Sequence, residues 1–530
     1  MGELKKLIES IKLPQNLDRE RLMPIISIAS ATTLLYASYK LMSHGSGNKT
    51  KISAHGLKKI PIPGSCFPYV GHLFSMGESS GKTVSEWHRQ LGPIINVKMG
   101  CQDWIIVDDP FLAHDIFVTH GANTSFRPYT TYSFEYYSFK GKGIAFSQPN
   151  ESWKKSRAAA LSVLAPKLVE KNYMNLIRKE SSELVKRLIN ATDVHGSANP
   201  LKYLELFTLN VIFNVGVGRS FNNVNDPEFR KLADMVEETM KLAGLDNDLP
   251  NFLPALSIID YFVGTQVKMK NFINNKRNPV YKELITEAFK KEGPNVIKSL
   301  EENGFEMDEE EILVFLSDLI AAGTDTISVT MSWNYAILCR YPDLQKKIAA
   351  EIDEFIKNHG RVPNFDEREQ IPLCVSVMKE CMRYRPTSPF GVSHTTDKEI
   401  VVDGYLIPKG ATLIANMGTM HSNAKRYVKP DEFLPERFMD NLKTMQASAN
   451  GQIETRDHYN FGFGRRICPG IYLAEVEIFF AFVQLFARCF VEPILPGNYP
   501  DIDRAKDAGI TVLPLPYHVK FTKRANALIV

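Results

Sequence analysis

Cysteine is scarce, and none of it comes in pairs. Seven cysteines (Cys66, Cys101, Cys339, Cys374, Cys381, Cys468 and Cys489) are scattered through 530 residues. The number is odd and no two stand at Cys-x-x-Cys spacing, which argues against a disulfide framework and a zinc site and points to a reducing compartment. In such a compartment the Asn-x-Ser/Thr triplets at Asn48, Asn123 and Asn190 are chance matches. Excess charge is missing as well. The 63 basic and 60 acidic residues leave a net +3, too little for nucleic-acid binding by bulk charge. Internal repeats are absent. The length is far beyond the size at which a core is hard to build, and alone it suggests about three domains.

Near the N-terminus, eighteen uncharged residues lie between Arg21 and Lys40. That is close to the minimum for crossing a bilayer. The segment before the run is rich in charged and polar residues and no clear small-residue cleavage site follows, so it does not read as a secretory signal. Residues 1–44 are read as a segment carrying a transmembrane anchor at about 22–42, with an interfacial amphipathic helix as the alternative. Five basic residues on either side leave its orientation undecided. Residues 45–68 form a linker, basic and flexible at first, then stiffened by Pro61, Pro63 and Pro68. Residues 69–530 are the folded body.

Within that body, 93–109 alternates like a small hairpin, 150–380 is dominated by helical patterns, and strand-like text returns at 399–415. The stretch 444–457 reads as an exposed loop. The clearest helix runs from about 309 to 340, with Asp308 and Glu311 as a capping box and Tyr341-Pro342 as its end. It would be about 45 Å long and buried along its middle. Yet that middle holds Gly323, Thr324, Asp325 and Thr326, and a glycine and a carboxylate in a buried helix each reduce stability.

The sharpest signal is "FGFGRRICPG" at 461–470, which ends at the mouth of a long apolar segment. A thiolate at Cys468 would be favoured by a helix N-terminus, and Gly462, Gly464 and Gly470 would let the backbone approach a flat partner. Arg466 is placed to meet an anionic group on that partner. A single thiolate cannot hold zinc or an iron–sulfur cluster, but it can be the one axial ligand of haem iron.

Here the sequence resembles the cytochromes P450. Phe461, Gly464, Arg466, Cys468 and Gly470 match the family's Phe-x-x-Gly-x-Arg-x-Cys-x-Gly signature at every fixed position. The resemblance extends from about residue 60 onward and is closest to filamentous-fungal members, some of which hydroxylate steroids. It implies a fold that is mainly α with small β-sheets, a single haem domain in place of several, and haem b bound through Cys468. It further implies a buried brace of Glu380, Arg383 ("KECMRYRP") and Arg437 ("FLPERF"), and haem carboxylates held by Trp153, Arg157, His394 and Arg466. In "AAGTDT" (321–326), Gly323 would leave room for dioxygen, Thr326 would hold water, and Asp325 would help relay protons. Ala322, Phe390 and Val392 would line the substrate side. The aromatic run "FRPYTTYSFEYYSF" (126–139) lies where relatives fold over substrate, although such a run is more often packed core. Asn423 stands where many members carry Asp.

The activity so implied is monooxygenation of a lipophilic molecule, steroid-like or otherwise polycyclic. Its partners would be NADPH–cytochrome P450 reductase, with room for cytochrome b5, and its place the endoplasmic reticulum membrane, single-pass, with the catalytic domain facing the cytosol. Two alternatives stand beside it. One is a haem-thiolate isomerase or dehydratase acting on peroxides, which the Asp325–Thr326 pair argues against. The other is a non-catalytic haem binder, which would need no proton relay.

Overall fold

The computed structural model describes residues 56–528 apart from 78–79, 245–247, 258–259 and 261–262. The anchor expected at 22–42 lies outside the described residues. Ten α-helices of twelve or more residues frame the molecule among those described: α1 (Ser80–Leu91), α2 (Glu151–Leu164), α3 (Met174–His195), α4 (Pro200–Val217), α5 (Pro227–Leu242), α6 (Asn278–Lys290), α7 (Glu309–Leu338), α8 (Pro342–His359), α9 (Pro372–Tyr384) and α10 (Ile471–Arg488). One large apolar core runs through α2 to α10, while Val84 of α1 packs in a smaller cluster with Ile95 and Trp104, so the multi-domain suggestion of length gives way to a mainly helical body.

The long central helix starts as its sequence dictates. Asp308 accepts from the Glu311 N–H, and Glu311 returns a carboxylate to the Asp308 N–H. It is the one described helix long and apolar enough to cross a membrane, and most of it is buried inside the protein. Its closest neighbour is α4, itself apolar nearly all round. Gly323 explains how the two approach: a Cβ there would lie 2.7 Å from Ile212 Cγ1 of α4. The glycine's missing side chain is filled by the neighbouring helix.

The strands are few. The expected hairpin pairs β1 (Ile94–Met99) with β2 (Gln102–Val107), antiparallel, Ile95 opposite Ile106. β3 (His394–Thr395), the small hairpin β4 (Ile400–Val402) and β5 (Tyr405–Ile407), and β6 (Thr412–Ala415) follow. The main sheet runs β1-β2-β6-β3, with β6 parallel to β2 and antiparallel to β3. This pairing carries His394 from the far end of the chain to the side of Thr124.

One expectation fails. The stretch 444–457 is not an exposed loop: it forms a helical turn, Met445–Ala449, with Met445, Ser448, Arg456 and Asp457 buried. Asp457 accepts from buried Lys379 Nζ at 2.7 Å and from Ser448 Oγ at 2.6 Å, and Met445 N donates to Glu475 at 2.7 Å. Its polar letters are internal because distant charges on α9 and α10 satisfy them, which composition alone does not reveal.

Candidate active site

Cys468 sits three residues before the first residue of α10 and lines a cavity of about 360 Å³. Its backbone N–H donates to Phe461 O at 3.0 Å, closing the loop into a compact turn. Gly464 holds φ +59°, and a Cβ there would come within 2.1 Å of the Phe117 carbonyl, so only glycine fits. Gly470 is the N-cap residue of α10, and its N–H lowers the thiol pKa, as does Arg157. Burial outweighs both and pushes the Cys468 thiol up. The helix end alone therefore does not make a thiolate; a coordinating metal would, since it deprotonates a thiol outright.

The same cavity is walled by Ala322, Gly323 and Thr326 of α7, by Phe390, Val392 and His394, and by Phe461 and Arg466. Thr326 Oγ1 donates to Ala322 O of its own helix at 2.7 Å. Asp325 is not brought to this wall. It accepts from Thr511 Oγ1 at 2.8 Å and lines a separate small cavity with Glu205 and Glu237. Burial raises its pKa to about 6, and that of Glu205 to about 8, with Asp325 as the next contributor.

Three guanidiniums meet on the cavity: Arg127, Arg157 and Arg466. Arg466 donates to the carbonyls of Ser125 (2.8 Å), Ile144 (3.2 Å) and Ser147 (2.5 Å). Arg127 donates to Ala145 O (2.9 Å), Val392 O (2.8 Å) and Ser393 O (2.7 Å), and Arg157 donates to Ile467 O at 2.7 Å. None is ion-paired with a carboxylate among the described residues. Burial, followed by mutual repulsion, pushes Arg466 down to about 8 and Arg127 to about 9. Trp153 lies beneath Arg466, 4.3 Å from ring to guanidinium, and its buried Nε1 has no acceptor among the described residues. His394 is fixed by Thr124 O at 2.9 Å, and burial keeps it well below its usual pKa, hence neutral.

Uncompensated buried cations and an orphaned indole N–H call for a polyanion that the described residues do not supply. A haem fits that donor set: Arg127, Arg157 and Arg466 would hold its two carboxylates and Cys468 would hold its iron. Arg127 escaped the sequence reading because it is embedded in an aromatic run. Of the seven aromatics at 126–139, only Tyr137 reaches the cavity, while Tyr132 packs in the core and Tyr129 is half exposed. Asp318, also on the cavity wall, was missed, although the reasoning that singled out Asp325 applied equally to a second carboxylate seven residues earlier.

The brace is assembled in full. Arg383 meets Glu380 through two bonds, 2.7 and 2.8 Å, and Arg437 Nε reaches Glu380 Oε2 at 2.9 Å, all nearly inaccessible to solvent. Leu434 N completes the carboxylate at 2.8 Å. Asn423 caps a local turn by accepting from Lys425 N at 2.9 Å.

The profile of the family described as cytochrome P450 matches residues 61–521. The chain belongs to the cytochrome P450 family. This P450 is 28% identical to a cat (Felis catus) steroid 17-alpha-hydroxylase/17,20 lyase over 87% of its own length and 92% of the relative's. It is 26% identical to the monooxygenase CYP3 of Mycosarcoma maydis over 88% of each chain, and 24% identical to the monooxygenase AOL_s00215g282 of Arthrobotrys oligospora over 94% and 95%. It is accordingly an oxidoreductase of the monooxygenase type, and the family implies haem-thiolate iron.

Proposed function

We propose that this P450 inserts one atom of dioxygen into a lipophilic, steroid-like or similar polycyclic substrate, using electrons from NADPH passed through NADPH–cytochrome P450 reductase. It would work from a single-pass anchor in the endoplasmic reticulum membrane, with its catalytic domain in the cytosol. One observation carries the reading: Cys468, three carboxylate-seeking arginines and a threonine on α7 all line one cavity. Haem bound there through Cys468 would supply the reductive activation of dioxygen.

The chain's own residues do the rest. Arg127, Arg157, Arg466 and Trp153 would bind the cofactor's carboxylates. Ala322, Leu319, Phe390, Val392 and Ile510 give the cavity an apolar lining that excludes water and suits a lipophilic substrate. Thr326 Oγ1 spends its proton on Ala322 O and keeps its lone pairs to accept a hydrogen bond from water. Asp325, on the reverse face and half-titrated near pH 6, can gather protons from solvent and would deliver them by turning toward Thr326. The likeness to a steroid hydroxylase supports the substrate class.

Asp325's outward position leaves the haem-thiolate isomerase as the competing reading. Lipophilic compounds, steroids included, screened for shifts of the haem absorption band identify ligands. Oxygenated product that requires NADPH and reductase is the expected result. Peroxide rearrangement without either would favour the isomerase, and ligand binding with no enzymatic reduction of the haem would favour a non-catalytic binder. Membrane fractionation with and without residues 1–44 tests the anchor.

A further inference from the structure

The loop between Tyr137 and Gln148 is gripped from two sides at one peptide. Asp318, on α7 and 8% exposed, accepts hydrogen bonds from Ile144 N at 2.6 Å, Ala145 N at 3.2 Å and the Tyr137 hydroxyl at 3.1 Å. The peptide joining Ile144 to Ala145 thus gives its N–H to Asp318, while its carbonyl accepts from Arg466 Nη1 at 3.2 Å. The next carbonyl, of Ala145, accepts from Arg127 Nε at 2.9 Å. A buried carboxylate and two buried guanidiniums are therefore joined through a single stretch of main chain, never touching directly. The approach is tight. At Gly143, φ is +82° and a Cβ would lie 2.6 Å from Asp318 Oδ2 and 2.4 Å from Val314 Cγ1. Tyr137 is held in turn by Arg277, which donates to its carbonyl at 2.7 Å.

Serial hydrogen bonds polarise one another: a carboxylate on the N–H makes the same peptide's carbonyl a better acceptor. With no carboxylate paired to Arg466 among the described residues, that strengthened Ile144 carbonyl compensates part of its buried charge. It also fixes where the remaining N–H groups of Arg466 point.

We infer that Asp318 is a positioning residue for the cofactor's carboxylates, acting through the Ile144–Ala145 peptide to set Arg466. It does not touch the cofactor edge itself. The inference rests on haem occupying this cavity, as the proposed function requires. Asp318 thereby ties the helix that carries Thr326 to Arg466 on the cofactor's rim, so both are placed by one side chain.

The test uses the haem-loaded full chain and measures haem loss to excess apomyoglobin, with amide hydrogen exchange alongside. Asp318→Asn keeps the shape and removes the charge. Haem loss is expected to accelerate about tenfold, the effect of weakening a charge-assisted bond, and exchange at Ile144 and Ala145 to rise. Combined with Arg466→Lys, the two effects should not multiply, because both act on one chain of bonds. Haem loss as slow as in the parent, or rates that multiply, would overturn the inference. If Asp318→Asn does not accumulate folded, Tyr137→Phe decides: it removes one of three bonds and should accelerate loss about threefold, and an unchanged rate counts against the idea. A parent chain that binds no haem at all would overturn the cofactor reading instead.

Discussion

At position 326 a hydroxyl bonded back to its own helix is the ordinary state of a helical threonine, and its place on the cavity wall is what supports the proposed chemical role. Thr326→Ala should keep haem and substrate binding while diverting NADPH-derived electrons into hydrogen peroxide; unchanged coupling of electrons to product would remove the role. Asp325 gives a pH signature. Its carboxyl titrates near 6 in the folded chain, above its ordinary value of 3.8, so the native state holds the proton more tightly than the unfolded one. Its contribution to stability is full below about pH 4 and is lost as pH rises through 6. Asp325→Asn should therefore be more stable than the parent at pH 7, by on the order of 1 kcal/mol, with the difference vanishing toward pH 4 in denaturant titrations. Equal stability at both pH values would contradict the assignment. Motif residues were legible because each has a fixed spacing from its neighbours in sequence. Arg127 and Asp318 were not, because what defines them is backbone that the fold brings to them from elsewhere.

The central helix shows how much one element's sequence reveals. Its start, its length and its burial were all readable, since capping and apolar surface are local properties. The partner that makes Gly323 necessary was not, because Ile212 lies on α4, more than a hundred residues earlier in the chain. Gly323→Ala should lower stability by about 1–3 kcal/mol through overpacking. Paired with Ile212→Ala, which removes two of the three crowding atoms, it should lose less than the sum of the single changes. Additive losses would mean that the two helices do not meet there as described. At 444–457 the element reading went the other way: a polar stretch proved internal because Lys379 and Glu475 wait for it in the core.

For the molecule as a whole, the brace of Glu380, Arg383 and Arg437 ties α9 to the segment leading toward the Cys468 loop. Glu380→Gln would leave two buried guanidiniums without their counter-charge and should destabilise the chain by about 3–5 kcal/mol, read from denaturation midpoints; a loss under about 1 kcal/mol would fit an exposed pair instead. The overall architecture was legible through the motifs, since their order along the chain fits one fold. The substrate was not, because cavity shape is built from residues scattered over many elements. The chemistry proposed for this cavity depends on one sulfur atom, that of Cys468. Full-length protein purified from haem-supplemented cells, reduced and exposed to carbon monoxide, should show the red-shifted Soret band of a thiolate-ligated haem, and Cys468→Ser should abolish it. A folded but colourless parent protein, or the same band surviving in Cys468→Ser, would contradict the account.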